Sequence, residues 1–267
     1  MNHRLFMVAK EAVENAGELI VGNFRQLEAR DVQLKGINDF VTRVDQQSEQ
    51  LIKRIILDSF PDHQILAEES GLANPSGEYL WVVDPLDGTA NFIHGIPHFS
   101  ISIAVICHDV LELGVIYNPI LKELFMAFPG EGSFLNNHRI HIADDKPLQQ
   151  AFGATGFPFK THQLLPAYSR AFEDLFGQSQ GMRRIGAASL DLAYTACGRF
   201  DYFWESFLCP WDFMAGILIV REAGGIITNF MGTELGLKND SVVAASASLH
   251  SQVLSIIQTH FLKPESH

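Results

Sequence analysis

Apolar and polar residues alternate along the first sixty positions with the period of an α-helix. Between residues 5 and 20 the apolar side chains recur every three or four positions, with acidic residues between them. This spacing predicts an amphipathic helix whose apolar stripe packs on a core. A second helix is predicted from about Thr42 to Phe60, because Thr42 and Asp45 have capping-box spacing and Pro61 follows its end.

Beyond residue 62 the pattern changes to short apolar segments separated by Gly, Pro and Asn. Strands are predicted at residues 63–67, 79–83, 99–107, 112–117 and 123–128. Because these strands follow one another along the chain, we expect a largely antiparallel sheet flanked by the two opening helices. Asn136 and Asn137 predict a tight hairpin turn a few residues further on.

The second half of the chain alternates between helix and strand patterns. Helices are predicted at residues 166–176, 189–197, 210–223 and 249–260, with a strand at 202–205. The helix at 210–223 is apolar nearly all round, so we expect it to be buried. The polar segment around Pro147 predicts a boundary between an N-terminal α+β half, residues 1–146, and a C-terminal α/β half, residues 147–267.

The net charge of the chain limits the classes of molecule that it is expected to bind. The 267 residues include 19 Lys and Arg against 31 Asp and Glu, which gives a formal net charge of −12. Such a surface repels nucleic acids and anionic lipids, so a nucleic-acid partner is disfavoured and an anionic substrate needs a bound cation where it docks. Three widely spaced cysteines, the lack of a signal-peptide pattern and the lack of an apolar run of roughly 20 residues predict a cytoplasmic protein without a membrane segment.

Two aspartates follow the apolar strand at residues 79–83. Pro85 lies between Asp84 and Asp87 and predicts a turn that brings both carboxylates to the carboxyl end of the strand. Gly88 and Thr89 then begin a helix, whose free N–H groups suit a phosphate. The structural alternative is that Asp84 only starts a turn and Asp87 only caps the helix.

Further acids lie in comparable places. Glu68 follows an apolar strand, and Asp212 lies in the first turn of the buried helix. Taken separately, Glu68 could be a solvated strand end and Asp212 a complement to the helix dipole. Together with the two aspartates they form an oxygen-only ligand set, which favours Mg²⁺ over Zn²⁺, and two such ions would serve phosphoester hydrolysis.

Other enzyme classes lack their usual motifs. The chain contains no Gly-x-Ser-x-Gly elbow, no Walker-type loop and no complete Gly-x-Gly-x-x-Gly. Haloacid-dehalogenase-type phosphatases place their two aspartates two positions apart, whereas Asp84 and Asp87 are three apart. The spacing therefore favours a water nucleophile over an aspartyl-phosphate.

Three segments resemble the signatures of the inositol monophosphatase family: residues 67–70, 81–92 and 210–216. The resemblance extends over nearly the whole chain. It implies a layered αβαβα sandwich with largely antiparallel and mixed sheets, a homodimer, and inhibition by lithium. It also implies that the first half of the chain carries most of the metal ligands, and that the second half carries Asp212 and the substrate side.

The resemblance further implies two or three Mg²⁺ ions and a set of ligands for them. Glu68, Asp84 and the carbonyl of Leu86 would hold the first ion, and Asp84, Asp87 and Asp212 the second. A third, weaker ion would be reached through water.

Asp45 is the residue implied for that third ion, although it could equally serve only as a helix cap. Thr89 and Glu68 would orient and activate the attacking water, and the N–H groups of Gly88 and Thr89 would hold the phosphate.

The substrate side is implied to include Ala188, Glu205 and Lys35. Glu205 would accept hydrogen bonds from hydroxyl groups, with a solvated strand end as the alternative. Ala90 and Ala187 stand where the family commonly has hydroxyl-bearing residues, which leaves the substrate preference more open than the reaction.

These inferences predict Mg²⁺-dependent hydrolysis of a small phosphorylated polyol, with myo-inositol 1-phosphate as the leading candidate. A related phosphatase for fructose 1,6-bisphosphate, a nucleotide 3′-phosphate or histidinol phosphate is the first alternative. The second is a protein whose main role is to bind a partner in the transcription machinery.

Overall fold

The computed structural model describes residues 2–36, 39–74, 76–158 and 162–262. The helices are α1 (Asn2–Asn23), α2 (Arg43–Ser59), α3 (Thr89–Ile93), α4 (Leu165–Gln178), α5 (Ala188–Ala196), α6 (Pro210–Glu222) and α7 (Ala247–Phe261). The strands are β1 (Val32–Gly36), β2 (Asp39–Thr42), β3 (Gln64–Ala67), β4 (Gly71–Ala73), β5 (Tyr79–Asp87), β6 (Ser100–Cys107), β7 (Val110–Asn118), β8 (Glu123–Phe128), β9 (Gly132–Leu135), β10 (His138–Ile140), β11 (Phe152–Thr155), β12 (Gly181–Arg183), β13 (Tyr202–Ser206), β14 (Ile226–Thr228) and β15 (Ser241–Ala245).

These strands form two large sheets and one separate hairpin. The first sheet has the order β10-β9-β8-β7-β6-β5-β3-β4 and is antiparallel except where β3 pairs with β5. The second has the order β12-β11-β13-β15-β14, in which β11 runs parallel to both of its neighbours. Strands β1 and β2 pair only with each other.

Side chains alternate between the faces of the first sheet and so divide the core. Trp81 and Val83 pack with α1 and α2 on the outer face, whereas Val82 faces α5 and α6 on the inner face. The second sheet covers the other side of α5 and α6, and its far face packs against α4 and α7. The layers therefore run helix, sheet, helix, sheet, helix, and the expected αβαβα sandwich is confirmed.

Most of the elements expected from periodicity are confirmed. The two opening helices, the five consecutive strands and the helices of the second half lie within a few residues of their predicted bounds. Asn136 and Asn137 form the hairpin turn, with φ angles of 47° and 67°. Strands β1, β2, β4, β11 and β12 were missed because they have three to five residues each and lack a clear apolar alternation.

The boundary near residue 146 stays a prediction. Helices α5 and α6 follow that boundary in the sequence, yet their apolar side chains share one core with the first sheet. Among the described residues, no helix is both long and apolar enough to span a membrane.

Candidate active site

A bulge in β5 sets the direction of the two central aspartates. Asp84 pairs with Ser102 of β6, and Asp87 pairs with Ser100. The two aspartates are three positions apart on β5, whereas their partners are two positions apart on β6. In a regular strand two residues three positions apart would point to opposite faces, and the extra residue of the bulge restores a common face. The prediction of a turn at Pro85 was therefore wrong, because the strand continues through Asp87.

Both aspartates face the inner helices, and a cleft opens there. Nine of the eleven expected site residues line this cleft: Glu68, Asp84, Leu86, Asp87, Gly88, Thr89, Ala188, Glu205 and Asp212. They come from β5, α3, α5, β13, α6 and the segment after β3. Residues that lie far apart in the chain are thus brought into one pocket.

The acids of the cleft destabilise one another's ionised forms. Burial, together with Glu68, Asp87 and Asp212, raises the pKa of Asp84 well above its usual range. Burial, followed by Asp87 and Glu68, does the same to the pKa of Asp212. A cation would relieve this repulsion, and the oxygen-only donors fit a hard ion such as Mg²⁺.

The acid oxygens are nonetheless spread along the cleft. In the part of the chain that the structure describes, no three of these acids each bring an oxygen within 4.8 Å of the others.

Asp87 is held in place by the start of α5. Its Oδ2 accepts hydrogen bonds from the backbone N–H of Ser189 at 2.8 Å and from the Ser189 hydroxyl at 2.5 Å. The Ser100 hydroxyl lies 2.7 Å from that of Ser189 and completes the group. Sequence reasoning missed both serines, because Ser189 lies 102 positions from Asp87 and no local pattern joins them.

Asp45 serves as a helix cap and also reaches the cleft. Its carboxylate accepts a hydrogen bond from the backbone N–H of Thr42 at 2.9 Å and completes a capping box. The hydroxyl of Thr89 donates to the other oxygen of Asp45 at 2.8 Å and to the carbonyl of Leu86 at 3.0 Å. The Asp45 carboxylate thus contacts Thr89, and the expected joint role of Thr89 and Glu68 in activating the water stays a prediction.

The turn between β5 and α3 depends on a glycine. Gly88 has a φ of 95° and is the N-cap of α3. A Cβ at this position would lie 3.1 Å from the backbone oxygen of His98, so both the conformation and the space favour glycine. The first N–H groups of α3 consequently begin at the floor of the cleft, where Gly88 and Thr89 line it.

Lys35 lies beside the acids and does not line the cleft wall. Its ammonium nitrogen is 3.6 Å from a carboxylate oxygen of Glu68 and 2.5 Å from one of Glu69. The structure therefore places Lys35 where it balances charge next to Glu68, whereas the sequence had suggested the substrate side.

Glu205 forms the wall opposite the acids. Its carboxylate packs so closely on Gly156 that a Cβ there would come within 1.8 Å of it. Burial raises the pKa of Glu205 to about 8, although the nearby Arg184 opposes the shift. Ala188 is buried beside this wall at the start of α5.

Three exposed phenylalanines stand at the rim of the cleft: Phe40, Phe157 and Phe207. The guanidinium of Arg184 lies over the Phe157 ring, 5.3 Å from its centroid. Sequence reasoning missed these residues, since isolated aromatic residues in loops and short strands carry no recognisable pattern.

Asp191 is a further acid that sequence reasoning missed. It lies in the first turn of α5 and is 1% exposed, and neither carboxylate oxygen has a hydrogen-bond partner among the described residues. Burial, then Glu205 and Asp87, raise its pKa well above the usual range. Asp191 is therefore one more buried acid whose ionised form is disfavoured next to the cleft.

Known proteins resemble the chain throughout its length. The model of the inositol monophosphatase family matches residues 1–261. Proteins named Nus factor SuhB are 44% identical over 258 residues in Pseudomonas aeruginosa and 42% identical over 254 residues in Escherichia coli, and each alignment covers 95% of both chains. An extragenic suppressor protein suhB from Bartonella henselae has a similar structure, with a TM-score of 0.90, 36% identity and coverage of 96% of this chain and 98% of that one. An IMPase from Thermotoga maritima gives a TM-score of 0.88 and 32% identity, covering 97% of this chain and 98% of that one.

Proposed function

Because the chain belongs to the inositol monophosphatase family, we propose that the acid-lined cleft is the active site of a Mg²⁺-dependent phosphatase acting on a small phosphorylated polyol. The preferred substrate in this proposal is myo-inositol 1-phosphate. The observation that carries it is the convergence of Glu68, Asp84, Asp87 and Asp212 from separate elements into one cleft. Carboxylates that repel one another in this way are suited to share cations.

The proposed ligands are those that the resemblance to the family implies. Glu68, Asp84 and the Leu86 carbonyl would hold one Mg²⁺, and Asp84, Asp87 and Asp212 a second. When bound, the ions supply the positive charge that attracts the substrate phosphate and stabilises the leaving alkoxide. The hydroxyl groups of Ser100 and Ser189 hold Asp87 in the orientation that such a ligand needs.

Thr89 and Asp45 are proposed to position the nucleophilic water. The single O–H of Thr89 points to Asp45 and the Leu86 carbonyl, which share it as hydrogen-bond acceptors, so the lone pairs of the hydroxyl are left to accept a hydrogen bond from the water. The water oxygen attacks phosphorus, the ester P–O bond breaks, and the alcohol and inorganic phosphate result. Backbone N–H groups of Gly88 and Thr89 are proposed to bind the phosphate oxygens.

The polyol is proposed to lie between Ala188 and Glu205. Ala188 leaves room for a ring, while the Glu205 carboxyl group faces it with hydrogen-bonding atoms. Lys35 contributes through its ion pair with Glu68, which keeps this acid in place beside the cleft.

Phosphate release tests the proposal. Purified protein is assayed with myo-inositol 1-phosphate, fructose 1,6-bisphosphate, a nucleotide 3′-phosphate and histidinol phosphate, with and without Mg²⁺. We expect Mg²⁺-dependent turnover with the highest kcat/KM on the inositol phosphate. A higher value on another ester would replace the substrate, and no turnover on any of the four would remove the enzyme assignment.

The same family membership supports two further parts of the proposal, a homodimer and inhibition by lithium. Light scattering of the purified protein measures the first, and activity against increasing LiCl measures the second. A monomer, or activity unchanged by lithium, would remove the corresponding part.

The names of the relatives favour a second candidate function. Proteins called Nus factor SuhB are over 40% identical to this chain. We accordingly propose a role as a protein partner in transcription as the alternative. Complementation with an Asp84→Asn variant separates the two: rescue of the cellular role by this variant favours the partner function, and failure to rescue favours catalysis.

A further inference from the structure

Three metal-binding side chains of different kinds meet at the end of the first sheet that is remote from the cleft. Glu78 precedes β5, Cys107 ends β6, and His108 begins the hairpin turn between β6 and β7. From Glu78 to Asp84 the chain runs about 20 Å along the strand, at about 3.3 Å per residue. This cluster therefore has no part in the proposed phosphatase chemistry.

The donor atoms of this cluster are spaced like the ligands of one ion. The Cys107 sulfur lies 3.6 Å from Oε1 of Glu78 and 3.4 Å from Nδ1 of His108, and Nδ1 lies 3.7 Å from the same Oε1. A tetrahedral Zn²⁺ with bonds of about 2.3 Å to sulfur and about 2.0–2.2 Å to nitrogen and oxygen separates its donors by about 3.3–3.6 Å. The three observed separations agree with these edges to within a few tenths of an ångström.

Within the described residues, this is the only group of three or more Cys, His, Asp or Glu side chains whose donor atoms all lie within 4.8 Å of one another. Its composition differs from that of the cleft. A thiol and an imidazole select a borderline-soft ion such as Zn²⁺, whereas Mg²⁺ prefers oxygen donors.

The backbone holds two of the donors in place. Cys107 pairs with Val110 across a two-residue turn, in which His108 and Asp109 have φ angles of 48° and 63°. Tyr79 pairs with Cys107 on the neighbouring strand and so ties the end of β6 to β5.

We propose that Glu78, Cys107 and His108 form a binding site for a Zn²⁺-class ion, with the fourth coordination position open to solvent or to a partner molecule. On binding, the Cys107 S–H bond breaks, the sulfur bonds to the metal, and the proton goes to solvent. No electron is transferred.

The surroundings suit a cation. Glu112 adds negative charge near the Cys107 sulfur, and the Glu78 and His108 side chains are 59% and 77% exposed, so an ion has direct access.

Cobalt titration tests the site, because Co²⁺ substitutes for Zn²⁺ and absorbs light when a thiolate binds it. The full-length protein is titrated with CoCl₂ under reducing conditions and in excess Mg²⁺, which fills the oxygen-only sites. We expect a near-ultraviolet sulfur-to-cobalt band that saturates at one ion per chain, visible bands of tetrahedral intensity, and loss of both when Zn²⁺ is added.

Variants assign the band to the cluster. Cys107→Ser should abolish it, and Glu78→Gln and His108→Ala should each weaken Co²⁺ binding tenfold or more. Cys197→Ser is the matched cysteine control and should leave the band unchanged, as should Asp84→Asn in the cleft. The last result keeps this test independent of the proposed phosphatase function.

Three outcomes would overturn the site. These are no sulfur-to-cobalt band at saturating Co²⁺, a band that persists in Cys107→Ser, and equal Co²⁺ affinity of the wild type and His108→Ala. The second would place the ion on another cysteine, and the third would reduce the site to an ordinary exposed thiol. Circular dichroism of each variant verifies that the fold is retained.

Discussion

At the scale of single residues, Asp84 is a buried acid surrounded by other acids of the cleft. It is 1% exposed, and three other acids raise its pKa together with burial. The bulge in β5 gives it the same facing direction as Asp87. Its carboxylate is therefore costly to keep in the protein without a cation, and the proposed ligand role accounts for that cost.

Replacing Asp84 is expected to have opposite effects on the catalytic rate and on the stability of the fold. Asp84→Asn retains the shape of the side chain but removes one charge shared by both proposed ions, so we expect kcat to fall at least a hundredfold. The free energy of unfolding in Mg²⁺-free buffer should rise, because a buried charge is removed. Steady-state phosphate release and urea denaturation measure the two effects. Asp58→Asn, on the exposed side of α2, is the control, and near-normal turnover in Asp84→Asn would contradict the assignment.

Glu205 predicts a dependence of stability on pH. Its pKa in the folded protein is raised from 4.5 to about 8. Between these values the folded protein retains a proton that the unfolded chain has lost, so the stability contributed by Glu205 falls as the pH rises. Above about pH 8 the loss is complete.

Glu205→Gln should remove this loss, because glutamine does not titrate. In Mg²⁺-free buffer the variant should gain stability relative to the wild type as the pH increases from 4.5 to 8. Urea denaturation at several pH values measures the difference. Glu173→Gln on the exposed side of α4 should give a curve parallel to the wild type, and parallel curves for Glu205→Gln would refute the expectation.

At the scale of elements, short irregular segments position the chemistry and the long helices support them. The bulge in β5, the glycine turn after it and the first turn of α5 together fix Asp84, Asp87 and Thr89. The buried helix α6 presents Asp212 from its first turn, where Asp212 also accepts a hydrogen bond from the backbone N–H of Cys209 at 2.7 Å. An acid can thus be a helix cap and a site residue at once, as Asp45 also illustrates.

The turn at Gly88 offers a test at this scale. Gly88→Ala adds a Cβ at a φ of 95° and 3.1 Å from the His98 carbonyl oxygen. We expect the free energy of unfolding to fall by about 1–3 kcal/mol. We expect kcat to fall by a larger fraction of its wild-type value than the free energy of unfolding does, because the start of α3 moves. Gly71→Ala, at a φ of 70° with open space around it, is the control for backbone strain alone. Equal activity losses in the two variants would count against a phosphate-binding role for this turn.

At the scale of the whole molecule, acidic side chains are concentrated between the two sheets. Asp87, Asp191, Glu205 and Asp212 lie on or beside the inner helices, where burial and neighbouring acids raise the pKa values of the last three. The net charge of −12 adds a weaker repulsion over the surface. A divalent cation bound in the cleft should therefore link the two sheets through the helices between them.

Thermal unfolding measures this link. Adding Mg²⁺ should raise Tm, because the ion binds the folded state, and the gain reaches about 2.7 kcal/mol at a hundred times the Kd. The rise should be smaller at pH 5 than at pH 8, since protons compete with the ion for carboxylates of raised pKa. Asp84→Asn should lose most of the effect, and an equal shift in this variant would show that Mg²⁺ acts elsewhere.

The sequence alone determined the elements and the chemical identity of the site. Periodicity located α1, α2, α6 and the five strands β3 and β5–β8 of the first sheet, because a buried face imposes its spacing on any sequence that forms it. The three family signatures selected Glu68, Asp84, Asp87 and Asp212, which the structure brings to one cleft. These features could be predicted from the sequence because each depends on a few consecutive residues.

Only the tertiary structure decided which side chains meet. The strand at Pro85 has a bulge where a turn was predicted, and Thr89 hydrogen-bonds to Asp45. Lys35 lies beside Glu68, and Ser189 contacts Asp87, which is 102 positions away in the sequence. The tertiary structure also joined Glu78 to Cys107 and His108 across neighbouring strands. Such contacts depend on strand register and on the packing of layers, which are set by the whole core, and no local stretch of sequence encodes them.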